Sequence, residues 1–383
     1  MNVLLTGATG SLGPHLVLEL LRARGIEHLY LLCRSDGRSS SARVQDLRAA
    51  MSECAGAADT AILRRDVMVT VPGDIRRAGL GMTDGQYAAI ASDLDVIIHA
   101  AADTRFTAPP SESENVNVGG TLNMVRLARR CPRLRQLLFV GTACVAGTRT
   151  GVIDERLDDE PQSFLNQYER TKWQAERAAA AADVPLRIAR LSTCVGSAHN
   201  GYVHRFGALH QSFRWFMRGL IPMVPGTSES RLDFIPSDIA ARWIARAAMR
   251  PVDGLEVCHV AAGEQAVSLE DLIDCVVAHC RETHPGWKAR QIEPAVVVSA
   301  ETFDLFRRSV EQAGDLLLLR VLESAQSFLP ALVHPKVYRT EQAEKVWGSA
   351  LPLTDWRTTL GKVIDFGCAR GWTSVAARET THA

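Results

Sequence analysis

The chain opens with the stretch Val3-Leu4-Leu5-Thr6-Gly7-Ala8-Thr9-Gly10-Ser11-Leu12-Gly13, and a helical pattern then extends from Pro14 to Arg24. A buried strand, a Gly-rich turn and a helix in this order are typical of the dinucleotide-binding unit of parallel α/β sheets. Gly7 permits the tight turn, Gly10 lets the backbone approach a pyrophosphate, and Gly13 lets the helix pack against the strand. The stretch therefore predicts a bound dinucleotide.

The composition is that of an ordinary globular protein. The 383 residues balance 43 Lys and Arg against 43 Asp and Glu, and 46% of them are hydrophobic. The length allows a full α/β domain with a smaller second one, and the even charge gives no indication of nucleic acid or an anionic membrane as a partner. The nine cysteines include no CxxC pair, which favours a reducing, cytoplasmic location. We expect neither a signal peptide nor a membrane span.

The second predicted strand, His28 to Cys33, ends in Arg34, at the position where NAD-preferring sites place a carboxylate for the ribose hydroxyls. An arginine pairs instead with a 2′-phosphate, which favours NADP. Asp36 lies two residues further on and keeps NAD open as an alternative.

A helix is predicted from Ala42 to Cys54, and a third strand region from Ala61 to Val71. Asp74 follows this region and has two interpretations, a hydrogen bond to the adenine amino group or a simple Gly-Asp turn. The next buried strand, Asp95 to His99, runs into small residues that allow the backbone to lie near a flat cofactor, namely Ala100, Ala101 and Ala102.

An amphipathic helix is predicted from Asn115 to Arg130. Asn117 in its first turn is either a capping or backbone-ordering group or a member of the site. The residues expected on or near the buried side are Val116, Leu122, Val125 and Leu127.

Thr142 leaves the carboxyl end of the next predicted strand, Leu137 to Val140, where open α/β sheets bind their ligands. Cys144 is expected to be a small packing residue, because nothing in the sequence supplies a base to activate it.

Tyr168 and Lys172 lie four residues apart in a helix-favouring segment, so both side chains should leave one face of one helix. The positive field of the ammonium favours the phenolate, so we expect a lowered pKa for Tyr168 and proton transfer by it near neutrality. The same spacing occurs on ordinary surface helices, and the upstream dinucleotide loop is what favours the catalytic interpretation.

Strand and helix alternate as far as the strand Leu186 to Leu191 and Gly196, which predicts a Rossmann-type, doubly wound parallel α/β sheet. We expect residues 1–196 to form the NADP-binding domain, with residues 232–262 returning to it. Residues 197–231 and 263–383 are then expected to form a smaller, mostly helical substrate-binding lobe.

Within that later part, the patterns predict a helix from Ser237 to Met249, a strand from Val257 to Ala261 and a helix from Leu269 to Glu282. A short strand is expected at Val296 to Val298. The apolar segment Leu316 to Leu332 is interpreted as a buried helix, with interfacial membrane contact as the minor alternative.

Four residues of the predicted helix at 269–282 and just beyond it have side chains that could bind a metal: Cys275, His279, Cys280 and His284. Steps of four residues can place two ligands together. The two such pairs point in different directions, however, and no carboxylate or third ligand is evident nearby. The sequence therefore predicts no metal, but a mixed helix face with core cysteines.

The order of Gly7-x-x-Gly10-x-x-Gly13, Thr142 and Tyr168-x-x-x-Lys172 resembles the extended short-chain dehydrogenase/reductase family over about residues 2–265. Finer features resemble one branch of it, the carrier-protein thioester reductase domains and the fatty acyl-CoA reductases of the male-sterility type, which take NADPH. These features are the segments Phe139 to Gly147, Tyr168 to Glu176, Arg190 to Thr193 and Leu232 to Ile239.

The chain departs from this branch at two positions beside the expected site. Gly141 replaces the usual Ser, and Cys144 replaces the usual Tyr. Because these two positions lie beside the site, they put the identity of the substrate in question more than the reductase chemistry.

The resemblance implies that Tyr168 donates the proton, that Thr142 bonds the substrate oxygen, and that Lys172 binds the nicotinamide ribose and tunes Tyr168. It also implies a cofactor-binding set drawn from the loop, the strand ends and the catalytic helix: Gly7, Thr9, Gly10, Ser11, Leu12, Gly13, Arg34, Asp74, Ile75, Ala100, Ala101, Ala102, Asn117, Tyr168, Lys172, Leu191 and Thr193.

The expected activity is NADPH-dependent reduction of an acyl thioester, held by a carrier protein or CoA, to an aldehyde and, with a second hydride, to a primary alcohol. One alternative is an oxidoreductase of ketones or secondary alcohols, including sugar nucleotides. Another, from a different class, is a non-catalytic dinucleotide sensor, against which the intact Thr142, Tyr168 and Lys172 argue.

Overall fold

The computed structural model describes residues 1–35, 37–56, 59–106, 108–157, 163–284, 286–287, 293–325, 329–353 and 355–373. Asp36, on which the NAD alternative depended, lies outside the described residues, and so does Gln326 in the late apolar segment. In the described part of the chain, no helix has the length and apolar character needed to cross a membrane.

The strands, in chain order, are β1 (Asn2–Thr6), β2 (His28–Cys33), β3 (Met68–Pro72), β4 (Val96–His99), β5 (Gln136–Thr142), β6 (Gly151–Ile153), β7 (Leu186–Leu191), β8 (Thr193–Cys194), β9 (Met223–Pro225), β10 (Arg231–Leu232), β11 (Phe234–Ile235), β12 (Leu255–Val260), β13 (Val267–Ser268), β14 (Val296–Val298) and β15 (Lys336–Tyr338).

The α-helices are α1 (Gly13–Arg22), α2 (Ser40–Cys54), α3 (Thr60–Leu63), α4 (Asp84–Asp93), α5 (Pro110–Ser113), α6 (Gly120–Ala128), α7 (Gln167–Ala180), α8 (Ala208–Phe216), α9 (Ser237–Ala248), α10 (Leu269–Thr283), α11 (Ala300–Ala313), α12 (Leu316–Ala325), α13 (Glu341–Trp347) and α14 (Trp356–Ala369). A π-helical turn spans Glu114–Gly119, and short 3₁₀ turns span Ala78–Gly81, Ala143–Ala146, Gly263–Gln265 and Leu329–Val333.

The central sheet has seven parallel strands in the order β3-β2-β1-β4-β5-β7-β12. Both of its faces are covered, because alternate residues of β1 enter different cores. Val3 and Leu5 pack with residues of α1 and α9, whereas Leu4 packs with residues of α6 and α7. Parallel strands buried on both faces are near-continuous apolar runs, as β1 is. The predicted doubly wound sheet with a mostly helical C-terminal part is confirmed.

A second core lies beyond the sheet and joins helices α8, α10 and α14. Its buried members include Phe213, Leu272, Val276, Leu360 and Ile364.

The division into domains stays a prediction, and two features bear on it. β12 pairs with β7 at the edge of the sheet, so residues 255–260 do return there. Helix α13, in contrast, packs on the sheet side, since Trp243 of α9 donates its indole N–H to the Ala343 carbonyl at 2.9 Å.

Three local expectations need correction. The third strand is shorter than the predicted Ala61 to Val71, because Thr60–Leu63 is a helical turn and the strand is Met68–Pro72. The helix predicted from Asn115 begins as the π-helical turn, and Leu122 is 36% exposed instead of buried. The first turn of α12 is also not buried, since Leu316 is 73% exposed.

Candidate active site

The Gly-rich loop lies directly against the end of β4. Gly7 has φ +81°, and a Cβ there would lie 2.6 Å from the Ala100 carbonyl carbon. A Cβ on Gly13 would lie 1.8 Å from the Ala8 carbonyl oxygen, so only glycine allows α1 to start this close to the loop. The backbone N–H of Gly10 donates to the Gly7 carbonyl at 2.9 Å. The loop is therefore a tight backbone cradle at the N-terminus of a helix, which suits a pyrophosphate.

The ends of β1 and β4 are joined by side-chain hydrogen bonds at the point where the strand order reverses. Thr6 Oγ1 lies 2.8 Å from His99 Nδ1 and accepts a hydrogen bond from the Ala101 N–H at 3.1 Å. Burial lowers the pKa of His99 to about 3, so its imidazole stays neutral. Ala100, Ala101 and Ala102 line this edge half-buried. Open α/β sheets bind dinucleotides in the crevice at this switch point.

The residues predicted for the adenosine end lie beyond β2 and β3. Arg34 is exposed just after β2. Asp74 is paired with Arg76, whose Nε donates to Asp74 Oδ2 at 2.9 Å. Burial raises the pKa of Asp74, but the hydrogen bonds from Arg76 outweigh it and hold the pKa below its usual range. Ile75 is buried against Gly120, where a Cβ would lie 2.7 Å from Ile75 Cδ1. The structure thus gives Asp74 and Ile75 packing and turn contacts, and their cofactor role stays a prediction.

An open cavity of about 610 Å³ lies at the same end and is rich in hydroxyl groups. Its lining residues are Ser35, Gly37, Arg38, Ser39, Ser40, Ser41, Thr70 and Pro72. Its size falls in the range of small-molecule sites.

Arg205 is a residue of this region that sequence reasoning missed. Its Nη2 donates to the Thr9 carbonyl at 2.9 Å, so a segment 196 residues further along the chain lies on the Gly-rich loop. Burial, and then the charges of Arg43 and Arg34, lower the pKa of Arg205. Arg34 and Arg43 are therefore close enough to Arg205, which lies on the loop, for their charges to act on it. No motif marks Arg205, because only the tertiary fold brings it there.

Thr142, Tyr168 and Lys172 come together at the carboxyl end of β5. Thr142 is the last residue of β5, and its Oγ1 accepts a hydrogen bond from the Cys144 N–H at 3.2 Å. The Tyr168 hydroxyl lies near the Thr142 side chain, which acts to lower its pKa. Lys172 is buried and donates from Nζ to the Val140 carbonyl at 2.9 Å, with Nζ 4.2 Å from the centroid of the Phe139 ring.

The expected lowering of the Tyr168 pKa is wrong for this arrangement. Burial raises the pKa of Tyr168 well above its usual value, and the nearby Thr142 side chain only partly opposes this. Burial also lowers the pKa of Lys172 to about 8, which the charge of Glu176 partly offsets. The phenol is therefore protonated at neutral pH. A protonated phenol is a proton donor, as reduction of a carbonyl requires.

Asn117 connects the catalytic helix to the loop that follows β4. Its Oδ1 accepts from the Asp103 N–H at 2.8 Å, and its Nδ2 donates to the Asp103 carbonyl at 3.0 Å and to Thr171 Oγ1 at 2.9 Å. Both amide hydrogens are thus used inside the protein. The geometry favours the backbone-ordering alternative for Asn117 over direct contact with a cofactor.

The remaining predicted residues lie along the same edge of the sheet. Leu191 ends β7 and is the register partner of Thr142 in β5. Thr193 in β8 pairs with Phe234 in β11 and is half-buried. In the Gly-rich loop, Thr9 and Leu12 are half-buried and Ser11 is exposed.

A strand from the C-terminal part also reaches the site, which the sequence did not indicate. β15 pairs with β6 and carries Lys336, whose Nζ donates to the Gly147 carbonyl at 2.5 Å. Burial lowers the pKa of Lys336, while the nearby Cys144 and Glu169 raise it. Burial likewise raises the pKa of the Cys144 thiol, which agrees with its predicted role as a packing residue and not a nucleophile.

Residues 5–244 match the NAD-binding family described as male sterility protein. The chain belongs to this family. Membership of this family, together with the similarity to known reductases, confirms that the chain belongs to the predicted branch of the extended short-chain dehydrogenases/reductases. It also confirms a nicotinamide dinucleotide as the cofactor.

This male sterility family member is similar to fatty acyl-CoA reductase 1 of Arabidopsis thaliana, with 32% identity over 164 residues. The aligned region is 40% of this chain and 33% of the Arabidopsis protein. A terminal R domain from the myxalamid PKS-NRPS biosynthetic pathway shares the fold with a TM-score of 0.76 and 24% identity, covering 97% of this chain and 91% of that one.

A thiolation-reductase di-domain from an archaeal non-ribosomal peptide synthetase aligns with a TM-score of 0.73 and 21% identity, over 97% of this chain and 76% of that one. At 24% and 21% identity, these two similarities show only that the fold is shared. The chain spans a third or less of the length of curated relatives that it matches.

Proposed function

We propose that this chain reduces an acyl thioester with NADPH, with Tyr168 as the proton donor. The observation that carries the proposal is the placement of Thr142 at the carboxyl end of β5, with Tyr168 and the buried Lys172 beside it on α7 and Lys172 Nζ donating to the Val140 carbonyl of the same strand. The relatives named as a fatty acyl-CoA reductase and a thiolation-reductase di-domain support a thioester as the substrate.

When bound, the nicotinamide cofactor would supply a hydride to the thioester carbonyl carbon. The Thr142 hydroxyl and the Tyr168 hydroxyl then face the oxygen on which negative charge develops, and both donate hydrogen bonds to it. Tyr168 transfers its proton to this oxygen, which gives a hemithioacetal. The C–S bond then breaks and the hydroxyl proton passes to the departing sulfur, which releases the thiol and an aldehyde. A second NADPH would supply a hydride to the aldehyde, and Tyr168, once it has regained a proton from solvent, would protonate the oxygen to give the primary alcohol.

The residues around the crevice fit a dinucleotide. Gly7 and Gly13 allow a close backbone approach, because a Cβ would overlap the backbone of Ala100 or Ala8, and no side chain caps the N-terminus of α1 at Leu12. The buried Lys172 ammonium, beside Tyr168 on the same helix face, suits the nicotinamide ribose hydroxyls.

NADPH is favoured over NADH by the charges at the adenosine end. Arg34 and Arg205 act on one another near the loop, and the hydroxyl-lined cavity lies beyond β2. A guanidinium binds a phosphate through charge-assisted hydrogen bonds worth about 1.5–3 kcal/mol each. We therefore expect Arg34→Ala to weaken NADPH binding roughly tenfold to 100-fold and NADH binding much less. Arg129→Ala, exposed just beyond the end of α6, is the control. Equal losses for both cofactors would contradict the assignment.

We infer that the acyl group arrives on a carrier protein or on CoA in the cytoplasm. The nine cysteines are all unpaired, which suits a reducing compartment. The test is a panel of acyl-CoA and acyl-carrier thioesters with NADPH, followed by loss of the nicotinamide absorbance and by product analysis. Turnover of a ketone or secondary alcohol without turnover of any thioester would contradict the proposal.

Tyr168→Phe distinguishes an enzyme from a dinucleotide sensor. Loss of the proton donor should lower kcat by roughly 10²–10⁴ while NADPH binding persists. Tyr30→Phe is the matched control, because the Tyr30 hydroxyl donates to Asp93, away from the site. An unchanged kcat in Tyr168→Phe would remove Tyr168 from the mechanism.

A further inference from the structure

Two histidines and a carboxylate converge outside the catalytic site, between the end of α10 and helix α14. His279 Nε2 lies 2.8 Å from Asp365 Oδ1, and His284 Nε2 lies 3.2 Å from the same oxygen. The three ligand atoms all lie within 4.8 Å of one another. The sequence offered the two histidines but no third ligand, because Asp365 follows His279 by 86 residues and only the packing of α14 on α10 brings it near.

The two His–Asp separations, 2.8 and 3.2 Å, are slightly shorter than those between ligands of a small tetrahedral ion. Ligand atoms at about 2.0–2.2 Å from a tetrahedral Zn²⁺ lie roughly 3.3–3.6 Å apart. Imidazole nitrogen and carboxylate oxygen are ligands that Zn²⁺ accepts, and sites with three protein ligands are completed by water. A modest outward movement of the Asp365 side chain, which is exposed, would open the required space.

The hydrogen bonding of the cluster is incomplete as it stands. His279 Nε2 forms a hydrogen bond with Asp365 Oδ1. His284 Nε2 is buried and, among the described residues, has no hydrogen-bond partner despite its closeness to the same oxygen. Buried polar atoms of this kind are rare in folded proteins. A cation between the three groups would use this nitrogen.

We propose that His279, His284 and Asp365 bind one divalent transition-metal ion of the zinc class, which joins α10 to α14. The neighbouring thiols are not part of this site. Cys280 is buried with its Sγ 2.8 Å from Met217 Sδ, so it points into the core.

The ion would link α10 to α14, a helix that contacts several parts of the molecule. Leu360 and Ile364 of α14 are fully buried, and Lys362 donates from Nζ to the Ala198 carbonyl at 2.9 Å. The His279 ring packs on Gly361, where a Cβ would lie 2.9 Å from His279 Cε1. An ion that binds only the folded state stabilises it by mass action. The site therefore has a structural readout that does not depend on the reductase activity.

The test uses the full chain after chelator treatment and dialysis. We expect titration calorimetry to find one Zn²⁺ per chain and Zn²⁺ to raise Tm by a few degrees. His284→Ala and Asp365→Asn should each weaken Zn²⁺ binding by at least roughly tenfold and abolish the rise in Tm. Glu282→Gln is the matched control, because it removes an exposed negative charge from the same helix end without removing a ligand.

Co²⁺ in place of Zn²⁺ identifies the ligands. We expect visible d–d absorption of a low-symmetry site without the near-ultraviolet band of a thiolate ligand. Asp365→Asn changes an exposed side chain and should fold as the wild type does, which unfolding curves without metal will check. No bound ion in the wild type, equal binding by wild type, His284→Ala and Asp365→Asn, or a thiolate band would each overturn the proposal.

Discussion

The Gly-rich loop at residues 7–13 and helix α7 meet at the same edge of the sheet, but different kinds of contact hold them there. The loop is closed by its own backbone, since Gly10 donates to Gly7 and Gly13 to Gly10. The helix is held by distant partners. Lys172 bonds to Val140 in β5, and Thr171 accepts from Asn117, 54 residues away.

The Gly-rich loop and the catalytic helix α7 therefore depend on different contacts for their positions. The turn of the loop is set by backbone hydrogen bonds between its own glycines, although Ala100 and Arg205 from distant parts of the chain also lie against it. The position of the Tyr168 hydroxyl, in contrast, depends on the packing of α7 against β5, β7 and the turn that carries Asn117. Substitutions in the two halves should therefore disturb different properties, and by different amounts.

The largest effect on stability is expected where α7 is joined to β7. Glu176 and Arg190 form an ion pair in which both side chains are almost fully buried, and Arg190 Nη1 also lies 3.1 Å from His259 Nε2. Glu176→Ala would leave Arg190 buried and uncompensated, which costs roughly 3–5 kcal/mol. Urea unfolding monitored by circular dichroism measures the loss.

The control is an exposed pair on α11, in which Arg307 and Glu311 are four residues apart. Such pairs contribute about 0.3–0.5 kcal/mol, so Glu311→Ala should be nearly neutral. Similar losses in Glu176→Ala and Glu311→Ala would show that α7 does not depend on its buried partner.

A smaller effect is expected from the loop. Gly13→Ala places a Cβ 1.8 Å from the Ala8 carbonyl oxygen, and relief of that overlap should cost about 1–3 kcal/mol and move the loop away from its cofactor-binding geometry. NADPH affinity, measured by fluorescence titration, should fall more than the free energy of unfolding does.

Gly85→Ala provides the comparison within a helix. A Cβ at Gly85 in α4 meets nothing within 4 Å, so this variant should gain up to about 1 kcal/mol. If Gly13→Ala bound NADPH as the wild type does, the loop would not be the pyrophosphate cradle.

Prediction from the sequence succeeded where the determinants are local. The strand His28–Cys33 was predicted to the residue, and the predicted family and sheet are confirmed. Prediction failed where a structural irregularity or a distant segment intervenes. The π-helical turn Glu114–Gly119 adds a residue to one helical turn, so the 3.6-residue period misplaced Leu122.

Burial at the catalytic end was equally invisible in the sequence. The four-residue spacing of Tyr168 and Lys172 placed both on α7, yet it could not show that Lys172 is buried and Tyr168 half-buried by the surrounding fold. Desolvation, which depends on the whole fold, then determined the direction of the Tyr168 pKa. Arg205, Lys336 and Asp365 went unnoticed for a related reason, because each reaches its cluster from a distant part of the chain.

The smallest effect concerns pH and tests whether burial controls the catalytic end. Burial lowers the pKa of Lys172 to about 8, so its ammonium is present below that pH and is lost as the pH rises through it. If the ammonium binds the ribose of NADPH, kcat/KM for NADPH, which reports the free enzyme, should be constant near neutrality and fall about tenfold per pH unit above pH 8. Lys172→Arg keeps the charge at every accessible pH and should move this decline to higher pH, whatever its effect on the rate. If kcat/KM declined over the same pH range in wild type and Lys172→Arg, the titrating group would not be Lys172. The burial of Lys172 would then not control the catalytic end of the site.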